Sequence, residues 1–203
     1  MKPIKVILVC ALAAITTAVP GAAGKPGAVG PLALASARVS LEGTSNIHAY
    51  TASTSTVRVT ALEIAETPEG TAIERVLQPE GLKAFEVAIP VASLSSPKDG
   101  IDKNMHKALK AQEHPEIIFR LRRLEPASGA YRATGGLVIA GVEKEITLEL
   151  QVERTGTGLA VTGATDLLMT DFGVTPPKAM LGMLKTNPKV RIHLELLIAP
   201  SLT

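Results

Sequence analysis

The chain has 203 residues, with 21 lysines and arginines against 19 aspartates and glutamates and a formal net charge of +2. Binding to nucleic-acid phosphates needs many clustered cations, but Arg120, Arg122 and Arg123 form only a short cluster. A single cysteine, Cys10, rules out an intrachain disulfide. The composition therefore excludes nucleic acid as a partner and a disulfide-stabilised scaffold.

The first 23 residues have the layout of a secretory signal peptide. Lys2 and Lys5 precede an apolar run over residues 6–19, and small residues follow. The alternatives are an uncleaved membrane anchor and a lipoprotein anchor on Cys10, which is disfavoured because the residue before it is not small. We expect export to the periplasm or beyond, with removal of residues 1–23. Without Lys2 and Lys5, basic and acidic side chains balance in the mature domain.

Residues 24–36 are rich in glycine, proline and alanine and predict a flexible leader, followed by one domain over residues 37–200. Within that domain, apolar and polar residues alternate in successive segments, as in half-buried β-strands. The pattern predicts eight strands: one each over residues 38–50, 54–66, 83–91, 116–124, 159–169 and 188–199, and two in a hairpin over residues 131–152. Residues 66–81 are too weakly patterned to assign.

The clearest of these patterns is a hairpin over residues 135–152. Its aliphatic residues fall on one face of each arm: Leu137 and Ile139, then Ile146, Leu148, Leu150 and Val152. Ala140-Gly141-Val142 is the predicted turn, because glycine readily adopts the positive φ that tight turns require. The aliphatic face must be covered, which predicts a β-barrel or β-sandwich with converging apolar faces.

One segment changes period. Over residues 101–111 the apolar residues Ile101, Met105, Ala108 and Leu109 recur at helical spacing, with lysines on the opposite side. This pattern predicts one short amphipathic helix. Met105 and Leu109 are expected either to face a ligand or to fill one end of the barrel.

The irregular stretch over residues 171–184 contains two prolines and an apolar patch at residues 179–184. An exposed apolar patch at the mouth of a barrel is suited to transient membrane contact. The alternative is that the patch folds back as a cap, and the sequence favours this second arrangement.

The interior is expected to be poorly filled, because the chain has only two tyrosines, three phenylalanines and no tryptophan. A void of about 200 Å³ costs on the order of 5 kcal/mol, which is large beside a total stability of about 5–15 kcal/mol. Such a barrel either collapses onto a closed aliphatic core or holds an apolar guest.

Nothing in the sequence predicts catalysis, a metal site or a cofactor. The four histidines, His48, His106, His114 and His193, lack metal-ligand spacing. Solvated positions are expected for His106 and His114, whereas His48 is a weak candidate for the mouth. Asp166 and Asp171 are a conceivable carboxylate pair for hydrolysis, but roles in turns and at strand ends are favoured.

Several motifs occur in one order: IPVASL at residues 89–94, DKNMHKALKAQEHPEIIF at 102–119, GGLVIAGVEKEITLEL at 135–150 and TDFGVTPP at 170–177. Together with GTSNIHAY at 43–50, they resemble the YceI-like family over most of residues 38–199. Tyr50 departs from the pattern, since many relatives have tryptophan there. The motifs are individually loose, and their order carries the resemblance.

The resemblance implies an exported lipocalin-like antiparallel barrel of eight strands, with the helix near its opening, that binds a polyisoprenoid-type lipid or an isoprenoid quinone. The implied function is carriage or buffering of that lipid, and the alternative is a stress-response or interaction module with a solid core. The oligomeric state stays open. The residues expected to line the lipid cavity are Met105, Leu109, Ile117, Phe119, Leu121, Leu137, Ile139, Ile146, Leu148, Leu150, Phe172, Val190, Ile192 and Leu194.

Overall fold

The computed structural model describes residues 32–66, 70–156, 158–179 and 183–201. The predicted signal peptide and Met180, Leu181 and Gly182 of the apolar patch lie outside these residues. The strands are β1 (Leu32–Ser45), β2 (Ala49–Thr54), β3 (Arg58–Ile64), β4 (Leu82–Pro90), β5 (Glu116–Ala127), β6 (Ala130–Ile139), β7 (Val142–Thr155), β8 (Gly158–Leu168), β9 (Lys178–Ala179) and β10 (Leu184–Pro200). The helices are α1 (Ala72–Val76) and α2 (Asp99–Ala108), with 3₁₀ turns at Val91–Ser93 and Met169–Phe172.

All strand pairs described are antiparallel, and they form one curled sheet in the order β2-β1-β10-β8-β7-β6-β5-β4-β3, with β9 paired to β10. The mainly β, antiparallel barrel class is confirmed. The curl brings β2 beside the segment that follows β4, where the Ser53 N–H donates to the Ser95 carbonyl and the Ser95 N–H to the Ser53 carbonyl (2.8 and 3.0 Å). This bridge joins the edge strand β2 to the chain just after β4, the strand beside the other edge strand β3.

The predicted count of eight strands is wrong, because the first predicted strand contains a turn. Ser45 Oγ accepts hydrogen bonds from the backbone N–H groups of Ile47 and His48, at 3.3 and 3.1 Å. These local bonds end β1 and start the short strand β2, so that the sheet has nine strands along its path besides the two-residue β9. Side-chain bonds of this kind compete with strand pairing.

Residues 32–36 of the predicted leader, residues 24–36, belong to β1. Leu32 pairs with Pro200 of β10 and is only 2% exposed. Burial of Leu32 and pairing with β10, whose register shifts between Leu34 and Ser36, order this segment, although its alanine-rich composition suggested flexibility.

The predicted hairpin is confirmed, but its turn has two residues and not the predicted three, because β6 ends at Ile139 and β7 begins at Val142. The two residues between the strands, Ala140 and Gly141, have φ values of 51° and 82°. Positive φ at both central residues is the signature of a type I′ turn, which matches the twist of a two-stranded ribbon.

The predicted amphipathic helix is confirmed as α2, and a second helix, α1, occupies part of the segment left unassigned. Thr71 and Glu74 form a capping box at the start of α1, and Ile73 and Val76 are buried. These two side chains pack with Leu32, Leu159 and Val161 at one end of the barrel. None of the helices in the described ranges is long and apolar enough to cross a bilayer.

The two helices mark opposite ends of the barrel, because successive hairpins alternate between them. At the α1 end lie α1 and the β5–β6 turn at residues 128–129. At the α2 end lie α2, the β1–β2 turn at residues 46–48, the β6–β7 turn at residues 140–141 and the β9–β10 hairpin.

Candidate functional site

Two adjoining cavities occupy the barrel. The inner cavity, of about 240 Å³, lies toward α1, and the outer cavity, of about 570 Å³, lies toward α2. They share part of their walls, and the shared residues are Leu41, Leu94, Ile117, Ile139, Leu167 and Ile192. The shared wall makes the cavities two compartments of one interior.

The inner cavity is almost wholly apolar. Its wall comes from β1, β3 to β8, β10 and α1, and Thr165 is the single polar residue among the described lining residues. Strand alternation explains this, since the inward positions of the sheet carry aliphatic side chains. Such a wall suits a hydrocarbon chain and provides almost nothing with which to bind a polar group.

The outer cavity is apolar on its inner side and polar toward the α2 end. Ile101, Met105 and Leu109 of α2 contribute apolar wall, together with Phe172. The polar lining residues are Ser45, His48, Tyr50, Lys98, Asn104, Lys178 and Thr186. Among the lining residues described, none is a carboxylate. The outer cavity therefore offers hydrogen-bond donors and positive charge near its opening.

The fourteen residues predicted to line the cavity all lie on its walls. Those on the inner cavity are Phe119, Leu121, Leu137, Ile146, Leu148, Leu150 and Leu194; those on the outer cavity are Met105, Leu109, Phe172 and Val190; and Ile117, Ile139 and Ile192 lie on both. That these side chains contact a ligand remains a prediction.

The prediction omitted most of the wall, since the described lining residues of the two cavities outnumber the fourteen predicted ones by more than three to one. Phe85, Val87 and Ile89 of β4 line the inner cavity, and their alternation in the sequence was a sufficient signal. Leu32 and Leu34 also line it, but they belong to a segment whose composition resembles a linker. Val76 and Leu77 come from α1, which the spacing of Thr71 and Glu74 as a capping box could have revealed. The omitted residues therefore make up more than half of the residues that line the inner cavity.

Tyr50 lies at the wall of the outer cavity, opposite Gly43 on β1. The ring occupies the space beside the glycine, where a Cβ would collide with the phenol. The hydroxyl is buried without a hydrogen-bond partner among the described residues, and burial raises the pKa of the Tyr50 phenol above its ordinary value. Tyr50 therefore serves here as packing.

Two of the polar candidates, His106 and Asp166, take structural positions, whereas His48 lines the outer cavity. His106 is half-buried and donates from Nε2 to the Leu94 carbonyl (2.8 Å), so the solvated position expected for it is wrong. Asp166 binds Lys189 (2.9 Å) and lies 3.5 Å from Arg191. The hydrogen bond from Lys189 and the two cations hold the pKa of the Asp166 carboxyl below its ordinary value. Within the described ranges, no three histidine, cysteine, aspartate or glutamate residues are placed to bind a metal ion.

A model of the YceI-like domain matches residues 36–197. The chain belongs to the YceI-like family. Comparison with curated proteins gives no match.

Solved structures show the same fold at low sequence identity. The YceI-like chain is similar to Burkholderia cenocepacia BcnA, with a TM-score of 0.64, 17% identity and coverage of 80% of this chain and 96% of that one. A polyisoprenoid binding domain from Saccharophagus degradans gives 0.61 and 13%, with 84% and 99% covered. A Campylobacter jejuni YceI protein gives 0.57 and 16%, with 75% and 85% covered.

Proposed function

We propose that this YceI-like protein is an exported lipid-binding protein that holds an apolar lipid, a polyisoprenoid or isoprenoid quinone, inside its barrel for carriage or buffering. The observation that carries the proposal is the pair of adjoining cavities whose inner part is lined by aliphatic side chains. Membership of the YceI-like family supports it, as does the similarity in fold to the polyisoprenoid binding domain from Saccharophagus degradans.

The cavity volumes favour a guest over a solid interior. The outer cavity, at about 570 Å³, falls within the roughly 300–1,000 Å³ typical of ligand pockets. Unfilled, the inner cavity of about 240 Å³ would cost about 6 kcal/mol at the rate measured for apolar cavities. A bound hydrocarbon chain offsets that cost, because it restores contacts along the wall.

The polarity of the two compartments favours one orientation of the lipid. The hydrocarbon chain occupies the inner cavity, and the polar end remains with His48, Asn104 and the other polar residues of the outer cavity. The reverse orientation would bury a polar group against Thr165 alone, and burying an unpaired polar group is costly.

Energetics favour reversible exchange. Burying a hydrocarbon chain from water is worth about 0.8 kcal/mol per CH₂, but a lipid that leaves a bilayer is already out of water. Exchange between bilayer and barrel is therefore close to balanced, which suits a carrier or buffer. The sequence pattern of residues 1–23 supports work outside the cytoplasm.

Mass spectrometry of an organic extract of the purified protein tests the proposal. We expect about one lipid per chain, with the repeating mass of isoprene units. A protein that carries no stoichiometric lipid, and binds none when offered polyprenol, would contradict carriage and favour an interaction module. A straight-chain lipid as the sole guest would retain the binding function but contradict the polyisoprenoid class.

A further inference from the structure

The large hydrophobic side chains that are most exposed in the described ranges all lie at the α2 end. They are Ile47 in the β1–β2 turn, Leu168 at the end of β8 and Met183 before β10, which are 60%, 42% and 66% exposed. Leu168 also lines the outer cavity. Ser45, His48 and Leu184, which are close to Ile47 and Met183 in the chain, line it too, so all three exposed side chains lie beside the outer cavity.

A single asparagine, Asn46, joins the two backbone segments that carry Ile47 and Met183. Asn46 Nδ2 donates to the Met183 carbonyl (2.9 Å), and Asn46 Oδ1 accepts from the Lys185 N–H (2.8 Å). A third bond runs from the Asn46 N–H to the Lys185 carbonyl (3.1 Å). These bonds fix the turn that carries Ile47 against the hairpin that carries Met183, so the two form one surface.

Two lysines lie in an arrangement that folding alone does not favour. Lys178 of β9 and Lys185 of β10 are directly opposite each other, and like charges opposite each other destabilise a strand pair. Both side chains are exposed, and neither forms an ion pair with a described residue. A local conflict of this kind is expected at functional surfaces.

Over the whole barrel, the lysines and the arginines differ in how often they form ion pairs. Of the eight arginines on the strands, six pair with described carboxylates and two, Arg38 and Arg132, do not, whereas all seven lysines that form no described ion pair lie on or near the α2 end: Lys98, Lys103, Lys107, Lys110, Lys144, Lys178 and Lys185. The acidic residues on that end whose side chains are described and form no described ion pair are fewer: Asp102, Glu113 and Asp171. The α2 end thus combines an excess of cations with exposed apolar side chains.

We propose that the α2 end docks on the surface of an anionic lipid bilayer. Ile47 and Met183 enter the interfacial layer, and the surrounding lysines contact anionic head groups. Apolar side chains combined with a basic surface are the combination that holds proteins at such interfaces. The inference rests on the proposed lipid-binding function, because docking in this orientation places the outer cavity against the source of its guest.

A bilayer fits this surface better than a folded protein does. A stable protein interface buries roughly 800 Å² of complementary surface on each partner. Ile47, Leu168 and Met183 instead protrude from separate turns and strand ends, and long lysine side chains surround them. Such protruding anchors suit a deformable surface.

An environment-sensitive fluorophore tests the docked orientation. In the mature chain expected after removal of residues 1–23, which contains no cysteine, the label is attached at Met183→Cys or, as the matched control, at Ser128→Cys in the exposed turn at the α1 end. Vesicles are made of phosphatidylcholine with or without phosphatidylglycerol. We expect a blue shift for the label at 183 only on anionic vesicles, and none for the label at 128. Equal shifts at both positions, or no shift at 183, would overturn the proposal.

A second experiment reverses the charge of three lysines at the α2 end. Lys103→Glu, Lys107→Glu and Lys185→Glu together lie outside the cavity wall and should weaken binding to anionic vesicles roughly 100-fold, since each lysine near the surface contributes. The control carries Lys83→Glu, Arg123→Glu and Arg132→Glu toward the α1 end and should bind like the unmodified chain. Equal weakening in both variants would contradict an oriented surface.

The two proposals can fail separately. Lipid in the organic extract together with an unshifted label at 183 would overturn docking and leave carriage standing. A shifted label at 183 together with an extract that lacks lipid would support docking and contradict carriage.

Discussion

Gly43 lies in the barrel wall near the α2 end, at a position where there is no room for a side chain. It is buried, and the ring of Tyr50 on the neighbouring strand occupies the space that a Cβ would need. The pair therefore fills this part of the wall with one large and one minimal residue. Methyl groups added to such close packing force side chains off their preferred rotamers.

We predict that Gly43→Ala lowers the free energy of unfolding by about 1–3 kcal/mol, because the phenol ring must move. Urea unfolding followed by circular dichroism measures the change. The control is Gly100→Ala in the first turn of α2, where an added Cβ meets nothing within 4 Å; it should be neutral or slightly stabilising. A Gly43→Ala protein as stable as the parent would contradict this packing.

Alternation in the sequence was enough to assign the direction of single side chains on the long strands. Ile146, Leu148 and Leu150 face inward as predicted, because a strand that is buried on one face tolerates no shift of register by one residue. The surroundings of Tyr50 could not be predicted. They depend on a turn that the Ser45 hydroxyl creates through local hydrogen bonds, and apolar periodicity does not record such bonds.

The helix α1 contributes two buried side chains to the end of the barrel although it has only five residues. Five residues place Ile73 and Val76 against the end of the barrel, where they pack with Leu159 and Val161. So short a helix is not stable by itself. Tertiary packing and the Thr71 capping box therefore hold it.

We predict that Thr71→Ala destabilises the protein by about 1 kcal/mol, the usual cost of losing an N-cap hydroxyl. The hydroxyl accepts from the Glu74 N–H at 3.3 Å. Thermal unfolding gives the comparison, with Thr71→Ser as the control that keeps the hydroxyl and should retain most of the stability. Equal losses in both variants would show that the cap contributes nothing.

The sequence predicted the long elements and missed the short ones for one physical reason. Periodicity accumulates with length, so that β7, β10 and α2 could be recognised, whereas β2 and α1 are too short to show it. Both short elements depend on side-chain hydrogen bonds to the backbone and on packing with distant segments. Those long-range contacts cannot be read from a local pattern.

The whole molecule is asymmetric along the barrel axis. Toward α1 the interior is narrow and aliphatic; toward α2 it is wider, and the surface there carries lysines without described partners. Composition anticipated a poorly filled interior, because two tyrosines and three phenylalanines provide little bulk. The division into two compartments could not be anticipated, since it depends on how the sheet curls and on where its ends meet.

The central claim is that the lipid lies inside the barrel, and saturation binding to a barrel with a filled interior tests it most directly. Ala133 is buried on β6 and lines the inner cavity, whereas the next residue, Thr134, lies on the outer face. Labelled polyprenol is titrated into Ala133→Phe and into the control Thr134→Phe. Displacing about two buried CH₂ groups should weaken binding roughly tenfold in Ala133→Phe alone. Unchanged affinity in a folded Ala133→Phe protein would contradict the account.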